Sequence, residues 1–599
     1  MQIVKNKISN ESKLLQLWLI LSRRQKKYLI KLIIFSIIAG LLDLLSIGLI
    51  IPYIGIMTSG DVKIQEFGEL FSGLTHIFMP TLSFGSITAV FIVILIIAVL
   101  ARIGILRYST SITFKIGAEL ARDLIQKWIF IDYQSKKEMD GAEVVTLLNS
   151  KINDMVLNVI FPSITFASAI IFSIIISLYL FYLFPLLALF IIIILLVVYA
   201  TVAILQKNKV NKLSKVVAES QHKATKVLMD ILSANKEIII NKKQDAFISR
   251  YSEESKSYRD AQGAIMFAAY SPKYIIEGVG IMLMIATTSI LIFQKSPGEL
   301  FAVMGTIALG AQKLLPNLQQ AYSAITLIKG SHKTIEDFLN IWNQGQVANF
   351  KDSTHPLDYQ SEFSLTIKSF SFKNNEILCN INLVVPKNTS VALIAPSGAG
   401  KSTVVDLLLG FLFSEESRIR VDDKIITATH LESWRNLISY VPQNMYVYDM
   451  DVISNITCYG PSLVDPDRLE LALELTGIRD NFRFCLSTHL VGDNGAKLSG
   501  GQRQRIGLAR AIYSEKPIII LDEATNALDM MAEKTIFSKI ASMSGKTLFV
   551  ITHRLELLDL FDKIAYINSQ KSIISGSLNE LLANNFEFEC FVTSVKNLK

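Results

Sequence analysis

Residues 393–403 read LIAPSGAGKST. A loop that cradles phosphate has the form G-x-x-x-x-G-K-[ST], and every position fits except the first, where Ala395 stands in for glycine. The phosphate-facing stretch is Ser397, Gly398, Ala399, Gly400, Lys401, Ser402 and Thr403. Gly398 and Gly400 let backbone N–H groups approach phosphate oxygens. Lys401 would reach the β- and γ-phosphates, the Ser402 hydroxyl would ligate Mg²⁺, and the helix N-terminus adds a favourable dipole. Ala395 sits at the strand end, before the part that touches phosphate, where a methyl group is tolerable at negative φ.

Four further stretches carry candidate chemistry. IIILDEA ends an apolar strand on Asp522 and Glu523. Asp522 would hold Mg²⁺, directly or through water, and Glu523 would polarise an attacking water; a strand followed by an acidic helix start looks the same. LSGGQRQR places Ser499, Gly500, Gly501 and Gln502 before a basic helix. Its backbone donors can bind the γ-phosphate of a second nucleotide, or simply cap the helix. VITHR puts His553 just past another strand, where a γ-phosphate sensor would sit, although a lone histidine is more often structural. Gln443, in YVPQN, is ambiguous alone.

These stretches must be positioned by the elements around them. After residue 360, short β-rich runs (FSLTIKSFSF, SVALIAP, LISYVPQ, PIIILDEA, KTLFVIT) alternate with helices. That alternation indicates a mainly parallel sheet flanked by helices, and such sheets bind ligands at their strand C-termini. Residues 326–360 are polar towards their end, contain proline and suit a linker.

The first 325 residues are different. The chain is 51% hydrophobic and only 19% charged over 599 residues, too long for one ordinary domain and too apolar for an ordinary soluble one. Six stretches approach the ~20 apolar residues that span a bilayer: about 32–55, 86–107, 160–184, 186–206, 274–293 and 299–322. The first 27 residues are polar and basic, and no cleavable signal peptide is expected. Lysine and arginine gather in the N-terminus, in 107–151 and in 207–259, while the other connections have few. The positive-inside rule then places both termini in the cytoplasm; the inner (cytoplasmic) membrane is what the resemblance given below implies. The net charge of +7 fits that lysine excess as well as it fits nucleic acid. Cys379, Cys458, Cys485 and Cys590 have no metal-ligand spacing and read as free thiols. The expected organisation is a basic N-terminus (1–27), an all-α six-helix transmembrane domain (28–325), the linker (326–360) and an α/β P-loop domain (361–599).

Taken together and in this order, the motifs of about 361–580 resemble the ATP-binding cassette of ABC transporters. The resemblance implies ATP and Mg²⁺ as cofactors and Phe372 as the aromatic that stacks on adenine. It makes Gln443 the coupling glutamine beside the metal, Ser499, Gly500 and Gly501 the signature, and Asn526–Asp529 the D-loop, with Asp529 at the nucleotide. Asn526 departs from the usual serine. Glu523, His553 and Gln443 become the catalytic set. One chain carries one cassette, and in the family the signature of one closes over the P-loop of another. The implied partner is therefore a second copy of the chain, and spans followed by a cassette are similar to exporter half-transporters. Coupling helices are expected near Tyr133–Ala142 and Ala234–Lys243.

Three cations lie in or against the spans. Arg102 is roughly 24 Å and Lys313 roughly 21 Å from the outer starts of their helices at ~1.5 Å per residue, and Lys273 opens the fifth span. Intramembrane charges usually face the bundle interior, with Asp43 and Glu277 as acidic counterparts; these cations either hold an anionic substrate or pair internally. GLLDLLSIGLIIPYIG, SPKYIIEGVGI and GAQKLLPNLQQAYSAI look like bacterial lipid-linked oligosaccharide flippases, which also have an outer amphipathic helix after the first span. Here Ile64, Phe67, Leu70, Phe71, Leu74, Ile77 and Phe78 recur at helical spacing. The expected substrate is an amphipathic lipid-linked glycan, with membrane lipid as a partner and no nucleic acid; the alternative is an exporter of peptides or hydrophobic drugs.

Overall fold

The computed structural model describes residues 13–48, 84–131, 133–138, 141–291, 297–343, 357–372, 375–414, 416–458, 464–482 and 486–597. The chain divides into two compact units, Met1–Ile131 with Ser135–Val347, and Asp132–Gln134 with Ala348–Lys599.

The first unit is helical: α1 (Lys13–Ile20), α2 (Arg23–Gly48), α3 (Phe84–Phe130), α4 (Tyr133–Glu138, shared with the second unit), α5 (Gly141–Leu183), α6 (Pro185–Ser233), α7 (Asn235–Ile240), α8 (Gln244–Tyr270), α9 (Pro272–Leu291), α10 (Pro297–Gly330) and α11 (His332–Asn343). Out of water, a helix satisfies every backbone N–H and C=O within one segment. Among the described residues, α2, α3, α5 and α6 are long and apolar enough to cross a membrane. The expected fifth and sixth spans are helical, α9 and α10, but do not reach that measure within the described residues. The expected outer amphipathic helix, residues 64–78, lies outside them. With 47 and 49 residues, α3 and α6 run on well past the length that spans a bilayer, and the short helices α4 and α7 fall on the two expected coupling stretches.

Small residues let these helices meet. The buried Ser36 and Ser168 hydroxyls, 2.9 Å apart, join α2 to α5. A methyl group added at Gly40 would come within 2.6 Å of Ile175, so glycine permits the close approach. Outward, Ile96, Val99, Leu100 and Ile103 on α3 are exposed, a surface suited to lipid.

The linker expected over 326–360 is a correction. Its first part continues α10 and then forms α11, whose Ile335, Phe338 and Leu339 are buried against Ile112, Ile116, Leu120 and Leu124. The periodicity of HKTIEDFLNIWN carried this signal, and the unit boundary falls after Val347.

In the second unit, strands β1 (Glu362–Phe372), β2 (Asn375–Pro386), β4 (Ser417–Val421) and β5 (Lys424–Ile425) form one sheet in the order β2-β1-β4-β5. All its pairs are antiparallel, so FSLTIKSFSF does not join the parallel alternation expected of it. Phe372 pairs with Asn375, and so short a link allows only antiparallel pairing. The other sheet runs β10-β9-β3-β8-β7-β6. Here β3 (Ser390–Ile394), β6 (Ile438–Val441), β7 (Ile518–Asp522), β8 (Thr547–Ile551) and β9 (Lys563–Ile567) are parallel, with β10 (Ile573–Gly576) antiparallel at one edge. Both faces of this sheet are buried, under two hydrophobic clusters. Parallel strands put all their C-terminal ends along one edge, where β3, β6, β7 and β8 deliver the P-loop, Gln443, Glu523 and His553. Cys379, Cys458 and Cys590 are free thiols; Cys485 lies outside the described residues.

Candidate functional site

The P-loop leaves β3 and enters α12 (Lys401–Leu408). Gly398 and Gly400 have φ of 79° and 95°, a region open to glycine. A Cβ at Gly400 would also stand 3.0 Å from Ile377 and Leu378. Ala395 is fully buried and its φ is not positive, so a methyl group is accommodated where the motif has glycine. Its carbonyl accepts a hydrogen bond from Lys401 Nζ at 3.2 Å.

Lys401 Nζ is 2.8 Å from His553 Nε2 and 4.0 Å from Glu523 Oε1. Burial pushes its ammonium below the usual lysine value, opposed by the charges of Glu523 and Asp522. His553 Nε2 lies 2.6 Å from Glu523 Oε1. Gln443 Nε2 donates to Glu523 Oε2 at 2.6 Å, and Asn526 Nδ2 donates to the same oxygen at 3.1 Å. Four elements thus converge on one carboxylate. Glu523 also has φ of 49°, a strained conformation for a non-glycine residue that the surroundings must enforce. Burial raises the pKa of the neighbouring Asp522, whose Oδ2 accepts from Tyr440 Oη at 3.3 Å.

The donors expected to hold Mg²⁺ are the Ser402 hydroxyl, the Asp522 carboxylate and the Gln443 amide. They are oxygen donors, and with the Gln443 amide nitrogen given to Glu523 its oxygen is the atom left for a cation. Mg²⁺ binds through one or two protein ligands plus substrate phosphates, so the residues fit it. Among the described residues no group of three or more His, Cys, Asp or Glu forms a metal cage.

The Ser499–Gln502 stretch opens α13 (Gly500–Tyr513) with a complete capping box. Ser499 Oγ accepts from the Gln502 N–H at 3.2 Å, and Gln502 Oε1 accepts from the Ser499 N–H at 2.9 Å. It is thus a helix cap, and no hydrogen bond or ion pair among the described residues joins it to the P-loop. A Cβ at Gly501 would stand 3.1 Å from the Ala527 carbonyl, so the glycine lets the D-loop lie against the helix start. Asp529 caps α14 (Met530–Ala541), accepting from the Ala532 N–H at 2.8 Å. The Phe372 side chain lies outside the described residues.

Three supports escaped the sequence reading. Gln504 Oε1 accepts from the Ala527 N–H at 2.8 Å. Arg554 pairs with the buried Glu533 and donates to the Asn526 and Leu528 carbonyls at 3.1 Å. Burial raises the pKa of Glu533, with Thr525 hydrogen-bonded to it. Arg554 follows His553 directly, and that adjacency was the available signal.

In the first unit, the cations separate. Arg102 Nε donates to Asp43 Oδ2 at 2.6 Å and Lys313 Nζ to Asp43 Oδ1 at 2.6 Å. Asp43 is fully buried, and the Arg102 guanidinium also lies over the Phe172 ring, 5.4 Å from its centroid. Three helices, α2, α3 and α10, are tied at one carboxylate, and two cations on one anion leave a surplus positive charge. Lys273 is elsewhere: it pairs with Glu277 at 3.7 Å, both about half exposed. That pair lines a cavity of about 760 Å³ with Tyr270, Gln312, Gln319 and Tyr199. The Gln319 Oε1 and Tyr199 Oη atoms there are buried without a hydrogen-bond partner.

Residues 29–305 match the family model of the ABC transporter transmembrane region, and residues 378–526 match that of the ABC transporter. The ATP-dependent lipid A-core flippase of Cupriavidus pinatubonensis is 40% identical over 212 residues, 34% of this chain and 36% of that protein. The one from Desulfotalea psychrophila is 28% identical over 397 residues, 63% of this chain and 67% of that protein. The chain therefore spans about a third of the length of the former relative. A bacterial Atm1-family ABC exporter solved with ATP bound superposes with a TM-score of 0.77 at 21% identity, over 96% of this chain and 98% of that one; this likeness concerns the fold. With both family regions in one polypeptide and in that order, the chain belongs to the ABC transporters, as a membrane region fused to an ATP-binding cassette in the exporter architecture.

Proposed function

We propose that the protein is an ATP-driven flippase that moves an amphipathic anionic lipid, of the lipid-linked oligosaccharide type or a related one, from the inner to the outer leaflet of the cytoplasmic membrane. The observation that carries the ATPase is the convergence of Gln443, His553 and Asn526 on Glu523 beside Lys401. Both Glu523 oxygens are engaged, Oε1 beside His553 and Oε2 by Gln443 and Asn526, which fixes the orientation in which the carboxylate would meet an attacking water. Lys401 and the P-loop N–H groups bind the β- and γ-phosphates. Mg²⁺, held by Ser402 and Asp522 with Gln443 beside it, would neutralise charge on the phosphate oxygens. Among the described residues no hydrogen bond or ion pair joins the signature to this P-loop, in keeping with two copies pairing, each lending Ser499–Gln502 to the other's site as a homodimer.

For the substrate, support comes from three sides. The surplus charge at Arg102, Lys313 and Asp43 favours an anion. The large cavity offers Lys273 and free polar atoms next to apolar walls. The relatives are named lipid A-core flippases. The test is ATPase and flux in proteoliposomes with a pyrophosphate-linked glycan, a lipid A-core, a peptide and a hydrophobic drug side by side. Stimulation and flipping with a lipid-linked glycan alone supports the reading, and transport of the peptide or drug alone replaces it.

A further inference from the structure

Glu523 leaves β7 in a turn that folds the chain back over its own carboxylate. The Asn526 N–H closes that turn on the Glu523 carbonyl at 3.4 Å, and the Asn526 amide donates to Glu523 Oε2 at 3.1 Å. Serine, the usual residue at this place, has a side chain that ends one bond sooner, so the contact comes with the asparagine. The other groups around the carboxylate have a second task. Lys401 and His553 face the phosphates, and the Gln443 oxygen is the atom left for a cation. Asn526 is held by protein instead. Arg554 donates to the Asn526 and Leu528 carbonyls at 3.1 Å, and Gln504 Oε1 accepts from the Ala527 N–H at 2.8 Å. Gln504 stands on α13, two residues beyond the Ser499–Gln502 stretch. A Cβ at Gly500 or Gly501 would stand 3.1 Å from Ala527, so the D-loop lies directly on the start of that helix.

We propose that Asn526 is a positioning residue for ATP hydrolysis. Its amide keeps the Glu523 carboxylate aimed at the attacking water when nucleotide and metal draw on Lys401, His553 and Gln443, and it ties that aim to the start of α13. This rests on Glu523 being the base. Aim matters because a base acts only within hydrogen-bond reach of the proton it takes.

Steady-state ATPase kinetics of the full-length protein in liposomes, with ATP affinity by equilibrium titration and the thermal midpoint measured alongside, test the role. Asn526→Ala should lower kcat about ten-fold, as loss of one hydrogen bond to a charged group would. KM, ATP affinity and the midpoint should stay near native, since the Asn526 side chain is exposed and the backbone bonds around it remain. Asn526→Asp is nearly isosteric but sets a second carboxylate beside Oε2, so it should be slower than the alanine variant. Asn526→Ser keeps a donor at shorter reach and should fall between asparagine and alanine. Gln504→Ala should lower kcat in the native background and leave it unchanged in the Asn526→Ala background, because both act through one carboxylate. Native kcat in Asn526→Ala overturns the proposal. So does a loss confined to KM or ATP affinity, which would place Asn526 in nucleotide binding, or a lowered midpoint with no recovery by serine, which would make its role structural. Additive losses in Gln504→Ala/Asn526→Ala would overturn the tie to α13. Glu523→Gln separates the two readings: near-native turnover there removes the base and this proposal together, whereas loss there with native kcat in Asn526→Ala removes Asn526 alone.

Discussion

Asp43→Asn tests whether one carboxylate holds three helices. In the native protein Asp43 is fully buried, and both its oxygens are engaged at 2.6 Å, by Arg102 and by Lys313. The asparagine is nearly isosteric, so packing is preserved and only the charge is lost. Removing one partner of a fully buried pair costs about 3–5 kcal/mol, because the other charge is left uncompensated. The side chains of Arg102 and Lys313 are 38% and 22% exposed, so solvent screens part of that, and about 2 kcal/mol is expected. The thermal midpoint followed by size-exclusion fluorescence should then fall by about 3 °C. Removing one cation is different. Lys313→Gln leaves a neutral Arg102–Asp43 pair, and Arg102→Gln leaves a neutral Lys313–Asp43 pair, so each loses only a charge-assisted hydrogen bond while relieving cation–cation repulsion. The double variant Asp43→Asn/Lys313→Gln returns the local charge to the native surplus of one and should recover part of the loss, a positive coupling in the mutant cycle. If Asp43→Asn unfolds at the native temperature, or if the double variant is no better than the single, the shared carboxylate does not hold these helices together.

Other outcomes follow from the second unit. Glu523→Gln should lower ATP hydrolysis by about 10²–10⁴-fold while ATP binding persists, since the base is lost and the phosphate cradle is not; near-native turnover removes Glu523 from catalysis. Lys401→Ala should instead weaken nucleotide binding, read by equilibrium titration. Arg554→Gln leaves Glu533 buried without its cation and releases the D-loop carbonyls, so the cassette should unfold about 2 kcal/mol more easily; an unchanged melting curve would show that the pair contributes nothing. Burial opposes ionisation of Asp422, but the Ser361 hydroxyl at 2.6 Å and the N–H groups of Gln360, Ser361 and Glu362 hold its carboxyl well below the usual range. That stabilisation is complete above the unfolded carboxyl value near pH ~4 and is lost as pH falls through the folded one. Asp422→Asn should flatten the acid limb of the cassette's stability curve, and an unaltered acid limb would contradict the hydrogen-bonded anchor.

The sequence by itself determined what is local. A P-loop is a strand, a turn and a helix start in consecutive residues, so LIAPSGAGKST could be read as a phosphate cradle, and the order of LSGGQRQR, IIILDEA and VITHR behind it fixed the fold of the second half. Even the Ala395 substitution was legible, because its tolerance depends on one backbone angle. Long apolar runs announced helices for the same local reason. The antiparallel pairing of β1 with β2 follows from the short link between Phe372 and Asn375 rather than from either run alone, and the periodicity of α11 runs into a polar stretch. Tertiary structure alone decided partnerships between distant residues. Asp43 meets Arg102 across 59 positions and Lys313 across 270, and no spacing rule connects them. The Lys273–Glu277 pair is the contrast: four residues apart on one helix, it is legible from spacing alone. Opposite charges buried out of water must find one another, and which ones do so is set by how helices pack.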